Sequence, residues 1–180
     1  MHSYNIIFIL VMISRNKIII LKNKDTLKFD DFYFKCSFGK NGLSSNKREG
    51  DFKTPKGLFN LGPLFYRKDR IKKPDTKLIC KKIASTMGWC NDISNKKNYN
   101  KLIHSKEKIK HEKLFRNDYK YNLMIPISYN MKKRTLGKGS AIFIHLTKNY
   151  KKTAGCIALK EKDLLILLKL VNKKTKILIN

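Results

Sequence analysis

Short runs of β-branched and aromatic residues, separated by Gly, Pro, Asn and Ser, recur along this 180-residue chain and restrict its fold class. Apolar runs of roughly four to eight residues bounded by turn residues are typical of strands, whereas helices need longer patterns. The pattern predicts strands over residues 6–13, 17–21, 32–38, 58–61, 64–66, 122–127, 141–145 and 175–179. The runs at 122–127 and 141–145 are almost continuously apolar, which is typical of central strands with both faces buried.

One segment has a helical pattern instead. Residues 161–172 place Leu164, Leu165, Leu167, Leu168 and Val171 largely on one face, and the acidic residues at the beginning favour a helix N-terminus there. The length fits one domain, and 42% apolar residues is too many for a disordered chain. The sequence therefore predicts a single, mainly β domain with one helix near the C-terminus.

The first residues allow two interpretations. Residues 6–13 form an apolar run that is too short to cross a bilayer as a helix. It is either the core of a signal sequence without a basic segment before it, or a strand that forms a hairpin with residues 17–21 through a turn at Arg15 and Asn16. We therefore divide the chain into an N-terminal apolar segment, residues 1–15, and a domain at 16–180.

Residues 68–120 are polar, rich in lysine and poorly periodic. Such a long excursion from a compact domain is uncommon and is often functional, for example as a lid or as the wall of a cleft. We expect this central excursion to carry short helices.

The charge balance is extreme, with 41 Lys plus Arg against 13 Asp plus Glu and a formal net charge of +28. Such a surface attracts polyanions, so a basic nucleic-acid-binding module is one interpretation. However, the lysines are scattered among abundant Asn and Ile, as an A/T-rich coding sequence would give, and no recognised nucleic-acid-binding motif is present. We therefore do not expect nucleic acid as the partner.

Two residues late in the chain have the chemistry of an acyl-transfer site. His145 ends a predicted buried strand, and Cys156 follows Gly155 at the beginning of another apolar run. A histidine can take the thiol proton and return it to a leaving amine, and the amides of Gly155 and Cys156 can face a developing oxyanion. The alternative is a buried structural cysteine. The four cysteines form no C-x-x-C pair, so we predict neither a metal site nor a cofactor.

Several segments together resemble the catalytic domain of L,D-transpeptidases, the YkuD-type peptidoglycan enzymes, in particular its small single-domain branch. The segments are residues 47–59 (KREGDFKTPKGLF), 87–92 with Tyr99 and Asn100, 111–116 with Asp118, Tyr121 and Asn122, 142–145 (IFIH) and 153–159 (TAGCIAL). The resemblance implies a β-sandwich or barrel-like catalytic fold. It also implies Cys156 as nucleophile, His145 as general base, and Gly155 and Thr153 in the oxyanion and positioning shell.

The chain departs from the commoner family pattern at two positions. Ala154 and Ala158 stand where the family has a histidine and an arginine. Because that arginine would be a clamp for a substrate carboxylate, Arg116, Arg48 or a lysine is the expected replacement. His111, Arg116 and Trp89 are candidates for lining the cleft, although a surface position for His111 and a core position for Trp89 are the simpler interpretations.

The resemblance implies acyl transfer on peptidoglycan stem tetrapeptides through a cysteine thioester, with release of D-alanine and consequent cross-linking or remodelling of the cell wall. With water as acceptor the same chemistry gives an L,D-carboxypeptidase. The family substrate implies the cell envelope or periplasm, and we expect a monomer. A wall-binding domain without activity is the remaining alternative.

Overall fold

The computed structural model describes residues 17–22, 25–104 and 109–180, which contain fifteen strands and one helix. The elements are β1 Ile18–Lys22, β2 Thr26–Phe29, β3 Phe32–Ser37, β4 Leu43–Ser44, β5 Thr54–Pro55, β6 Gly57–Asn60, β7 Leu64–Tyr66, β8 Cys80–Lys82, β9 Met87–Cys90, β10 Leu102–His104, β11 His111–Lys113, β12 Leu123–Pro126, β13 Phe143–Leu146, β14 Ile157–Leu159, α1 Glu161–Leu170 and β15 Lys176–Ile179. The predicted mainly β class is confirmed.

Ten of the strands form one curled sheet in the order β6-β15-β1-β2-β3-β14-β13-β12-β7-β8. Neighbours are antiparallel except for three parallel pairs, β1 with β15, β7 with β8, and β13 with β14. Strands β12 and β13 lie inside this sheet and every residue in them is buried. The continuous apolar runs in the sequence therefore marked central strands, as predicted.

Alternation along the central strands divides the interior into two apolar clusters, because successive side chains of a strand point to opposite faces. The main core takes Leu64, Leu123, Ile144 and Ile157 from four neighbouring strands, together with the buried leucines of α1, which packs against β13. The smaller cluster lies on the opposite face. It consists of Phe65, Ile83, Trp89, Leu114, Tyr121, Met124, Phe143 and Cys156.

The central excursion covers the smaller cluster. Strands β10, β9 and β11 form a separate three-stranded antiparallel sheet, from which Trp89 packs edge-on against Phe143 at a ring-centroid distance of 5.3 Å. The expected short helices are wrong for the part of the excursion that the structure describes, which holds short strands and turns. Strands of three or four residues are too short to show a period in the sequence.

Both ends of the chain can be compared with the predictions. The run at 6–13 and the turn at Arg15 and Asn16 lie outside the described residues. The second arm of the proposed hairpin is confirmed as β1, whose neighbours in the sheet are β15 and β2. Helix α1 begins where predicted and ends at Leu170, because Val171 adopts an extended conformation. None of the helical structure in the described ranges is long and apolar enough to span a membrane.

The packing of α1 against the sheet gives a stability prediction. Leu167 is completely buried, whereas the neighbouring Ile166 is 43% exposed. Truncating a buried leucine removes transfer free energy and leaves a cavity, so Leu167→Ala should lower the free energy of unfolding by about 2–5 kcal/mol. Ile166→Ala is the matched control and should cost less than about 1 kcal/mol. Urea unfolding monitored by circular dichroism measures both, and equal losses would contradict this packing.

Candidate active site

Parallel pairing of β13 and β14 brings Cys156 and His145 to the same face of the sheet. The register aligns Ile144 with Ile157 and His145 with Ala158, so Cys156 lies beside Phe143, one residue earlier. Since residues two apart on a strand share a face, His145 projects to the same side as Phe143 and Cys156. The two candidate catalytic residues are therefore diagonal neighbours on adjacent strands.

The thiol of Cys156 is held by two backbone groups. Its Sγ accepts a hydrogen bond from the Phe143 amide at 3.4 Å and donates one to the Ala141 carbonyl at 3.3 Å. Only 9% of the residue is exposed, and burial raises the pKa of the thiol to about 12, which the Phe143 amide and the Lys47 ammonium partly oppose. At neutral pH the resting group is a neutral thiol.

The imidazole of His145 is held in one tautomer. Its Nδ1 lies 2.9 Å from the carbonyl oxygen of Leu146, which can only accept, so Nδ1 carries the proton and Nε2 has a free lone pair. The residue is 7% exposed, and burial lowers the pKa of the ring to about 4. Within the described residues no hydrogen bond joins the imidazole to the Cys156 thiol. The neutral ring is a base that does not yet hold the thiol proton.

The loop before Cys156 is fixed by its own hydrogen bonds. The Gly155 amide donates to Thr153 Oγ1 at 3.1 Å, and the Thr153 hydroxyl donates to the Cys156 carbonyl at 2.6 Å. Gly155 has a φ of +145°, and a Cβ there would lie 2.8 Å from the Lys53 carbonyl oxygen, so the position requires glycine. Thr153 thus positions the loop, while the Gly155 amide is already engaged.

A cavity of about 630 Å³ opens beside these residues. Both His145 and Cys156 line it. Other parts of the wall come from the connection before Cys156, the segment around Lys47 and Glu49, Arg116 at the end of the central excursion, and Tyr121 directly after it. The excursion therefore forms part of the cavity wall, which is one of the two roles that its length suggested. Three distant parts of the sequence meet around one thiol.

Next to His145 the wall carries a fixed group of charged residues. Tyr121 packs edge-on against the His145 ring at 5.4 Å, and its hydroxyl donates to Glu112 at 3.2 Å. The Arg116 guanidinium donates a hydrogen bond to Glu112 at 2.9 Å and two hydrogen bonds to Asp118 at 3.0 and 2.7 Å. The hydrogen bond from Arg116 lowers the pKa of Asp118, which outweighs the effect of burial. Arg116 lines the cavity, but its guanidinium is already committed to two carboxylates.

Lys47 is a functional candidate that the sequence did not single out. It is 3% exposed, and its ammonium pairs with Asp51 at 2.6 Å. Burial acts to raise the pKa of Asp51, but hydrogen bonds from the Arg48 amide, the Lys47 ammonium and the Lys53 amide lower it. Both residues belong to the 47–59 segment, so the sequence showed the motif, but it did not show that the charge of Lys47 acts on the Cys156 thiol.

The two remaining candidates lie elsewhere. Trp89 is 6% exposed, packs in the smaller cluster and donates from Nε1 to Asn100 at 2.9 Å, so it has the core position. His111 lies in β11 with Nδ1 2.6 Å from the Ile109 carbonyl oxygen. Neither belongs to the wall of the cavity as the described residues form it. The same residues contain no group of three or more His, Cys, Asp or Glu placed to hold a metal ion.

The sequence matches a family model, the YkuD L,D-transpeptidase catalytic domain, over residues 7–179. No curated protein matches the chain. Among solved structures, the helical cell shape determining protein Pgp2 from Campylobacter jejuni is 22% identical with a TM-score of 0.52, over 92% of this chain and 47% of Pgp2. An L,D-transpeptidase from Mycobacterium smegmatis is 13% identical with a TM-score of 0.41, over 92% of this chain and 58% of that one.

Pgp2 resembles this chain in fold, and at this identity nothing further follows from the likeness. The chain spans about half the length of the solved proteins that it matches, 47% of Pgp2 and 58% of the mycobacterial enzyme. Coverage of nearly the whole chain by one family model is the stronger finding, because it includes the segments that carry Cys156 and His145.

The depressed pKa of His145 gives a prediction for stability against pH. The folded ring has a pKa of about 4 against an ordinary 6.5, so below pH 6.5 the unfolded chain takes up a proton that the folded chain does not. Above pH 6.5 the neutral His145 ring contributes about 3 kcal/mol to the free energy of unfolding. This contribution is lost progressively as the pH falls from 6.5 through 4.

Urea unfolding of wild type and His145→Gln at pH 7 and pH 4 checks this expectation. Glutamine cannot take up the proton, so the free energy of unfolding should fall less steeply with acid in the variant, by about 3 kcal/mol. The exposed His104 provides the control, since His104→Gln should keep the wild-type slope. Equal slopes for all three proteins would contradict a buried neutral imidazole.

Proposed function

Because the chain belongs to the YkuD family of L,D-transpeptidase catalytic domains, we propose that it transfers acyl groups of peptidoglycan stem tetrapeptides through a thioester on Cys156. The observation that carries this proposal is the placement of Cys156 and His145 on one face of adjacent parallel strands, in the wall of one cavity. The substrate lies in the cell wall, so we place the enzyme in the cell envelope, acting as a monomer.

In the first half-reaction, the sulfur of Cys156 attacks the carbonyl carbon of the diamino-acid residue that precedes the terminal D-alanine. Nε2 of His145 takes the thiol proton as the carbon–sulfur bond forms. The carbonyl π electrons move onto oxygen, and their return expels the D-alanine nitrogen, which takes the proton back from His145. The products are an acyl thioester and free D-alanine.

The protonation states and hydrogen bonds of the resting site determine which proton transfer and which rotation of the thiol the attack requires. With a thiol pKa of about 12 and an imidazole pKa of about 4, a preformed thiolate–imidazolium pair is not the resting state. Proton transfer therefore accompanies the attack, and the thiol must turn from the Ala141 carbonyl toward Nε2 of His145. Catalytic hydrogen bonds commonly tighten only when substrate is bound.

The oxyanion that forms in this step needs backbone donors. The Gly155 amide is engaged by Thr153, so the Cys156 amide is the nearer candidate from this loop. Binding of the carbonyl oxygen would recruit the Gly155 amide only if the bond to Thr153 opened. The main role of Gly155 is structural, because its lack of a Cβ allows the loop to pass close to the Lys53 carbonyl.

A lysine is a better candidate than Arg116 or Arg48 for the role of the family's arginine, which is to bind the substrate carboxylate. Arg116 is tied to Glu112 and Asp118, and Arg48 is exposed and does not belong to the described cavity wall. Lys120, Lys148 and Lys152 are exposed residues of that wall. We assign the binding of the substrate carboxylate to these lysines as point charges, without the planar fork of a guanidinium.

The second half-reaction decides the product. An amine of a second stem peptide would attack the thioester and give a cross-link, whereas water would give a shortened peptide and an L,D-carboxypeptidase. His145 serves both routes in the same way, taking a proton from the acceptor while the sulfur leaves and is reprotonated.

Intact-protein mass spectrometry with a stem tetrapeptide tests the nucleophile. Wild type should release D-alanine and gain the mass of the tetrapeptide minus D-alanine, and Cys156→Ala should do neither, because no other thiol lines the described cavity. Cys80→Ala removes a cysteine from β8 and is the matched control, expected to behave as wild type. His145→Gln should slow adduct formation by about 10²–10⁴-fold.

Two results would contradict the proposal. One is D-alanine release by the Cys156→Ala variant, which would move the chemistry to another residue. The other is a folded wild-type protein that releases no D-alanine and gains no adduct from tetrapeptides.

A further inference from the structure

The cavity wall contains a carboxylate that the acyl-transfer chemistry does not use. Glu49 lines the same cavity as Cys156, and its Oε2 accepts two short hydrogen bonds, from the Tyr99 hydroxyl at 2.6 Å and the Ser140 hydroxyl at 2.7 Å. Both bonds end on the same oxygen. Among the described residues no donor binds Oε1.

The donors that hold Glu49 are themselves fixed. Tyr99 is completely buried and Ser140 is 6% exposed, and the Gly139 amide donates to the Tyr99 hydroxyl oxygen at 3.2 Å. Burial and the Glu49 carboxylate raise the pKa of Tyr99, which keeps it a donor at neutral pH. The carboxylate is therefore oriented before any ligand arrives, and its position costs a ligand little reorganisation.

Glu49 also lacks a cationic partner in a strongly basic chain. The ion pairs among the described residues involve Asp30, Asp51, Asp69, Glu112 and Asp118, and none involves Glu49. The nearby Lys47 ammonium is committed to Asp51. An oriented carboxylate without a counter-charge, at the wall of a substrate cavity, is complementary to a cation.

A second acceptor lies in the same wall. The side-chain oxygen of Asn91 is buried and has no hydrogen-bond partner among the described residues, and Asn91 lines the cavity with Glu49. A buried polar atom without a partner costs free energy that a donor would recover. The wall therefore holds an unused acceptor besides Glu49, and a primary ammonium has three N–H donors.

We infer that Glu49, assisted by Asn91, binds the free ammonium group on the side chain of the substrate's diamino-acid residue. This inference rests on the proposed function for the identity of the peptide. The residue attacked by Cys156 carries that amine a few bonds from the reacting carbonyl, and both groups enter one cavity. The site then selects stem peptides whose side-chain amine is free over those in which it is acylated, including strands that are already cross-linked through it.

Binding to a variant without the thiol tests the inference separately from the chemistry. The measurement is calorimetric titration of Cys156→Ala with a stem tetrapeptide whose side-chain amine is free, and with the same peptide acetylated there. We expect the free amine to bind at least about tenfold more tightly, since acetylation removes the charge and two of the three donors. In Cys156→Ala/Glu49→Gln the preference should fall below about threefold, because glutamine still accepts from Tyr99 and Ser140 but carries no charge.

Cys156→Ala/Glu161→Gln changes a carboxylate on the exposed beginning of α1 and is the matched control, expected to keep the full preference. Circular dichroism verifies the fold of each variant. If Glu49→Gln does not fold, Ser140→Ala removes one of the two donors while leaving the carboxylate, and should reduce the preference at least about threefold.

Equal binding of the two peptides by Cys156→Ala, binding of neither, or a preference that survives Glu49→Gln would overturn the inference. Failure of wild type to form a thioester, with the preference for the free amine intact, would overturn acyl transfer and leave the ammonium site standing. Thioester formation by wild type, without any preference for the free amine, would overturn the ammonium site and leave acyl transfer standing.

Discussion

The parallel pairing of β13 with β14 is the contact on which the candidate site depends. It places Cys156 beside Phe143 and His145 beside Ala158, so that one face of two adjacent strands presents both a thiol and an imidazole. A one-residue slip in register would turn one of them toward the main core. The register is secured on both sides, because β12 pairs with β13 and β3 pairs with β14.

Burial sets the chemical state of this pair. The interior disfavours charge on either group, so the thiol and the imidazole are both neutral at rest, and the Leu146 carbonyl fixes the tautomer that leaves Nε2 free. Charges are instead concentrated at the wall, in the Lys47–Asp51 pair and the Arg116 group. The neutral thiol and imidazole therefore lie within a wall that carries most of the charge around the cavity.

The wall is assembled from segments far apart in sequence. Glu49 precedes β5, Tyr99 and Asn91 belong to the central excursion, and Ser140 precedes β13, yet a hydroxyl from each of the last two regions reaches the same carboxylate oxygen. The excursion therefore has two roles. Its apolar residues cover the smaller cluster, and its polar residues form part of the cavity wall.

Sequence alone determined the mainly β class, the central strands and α1, because period-2 and period-3.6 apolar patterns report directly on burial. The 142–145 and 153–159 segments also identified His145 and Cys156 as the candidate pair. Only the tertiary structure decided that Trp89 is a core residue, that Arg116 is already paired, and that Lys47 and Glu49 line the same cavity as the thiol. The orientation of Glu49 depends on hydrogen bonds between residues far apart in the chain, and the other facts depend on which side-chain rotamers and neighbours the fold selects, so no local pattern encodes them.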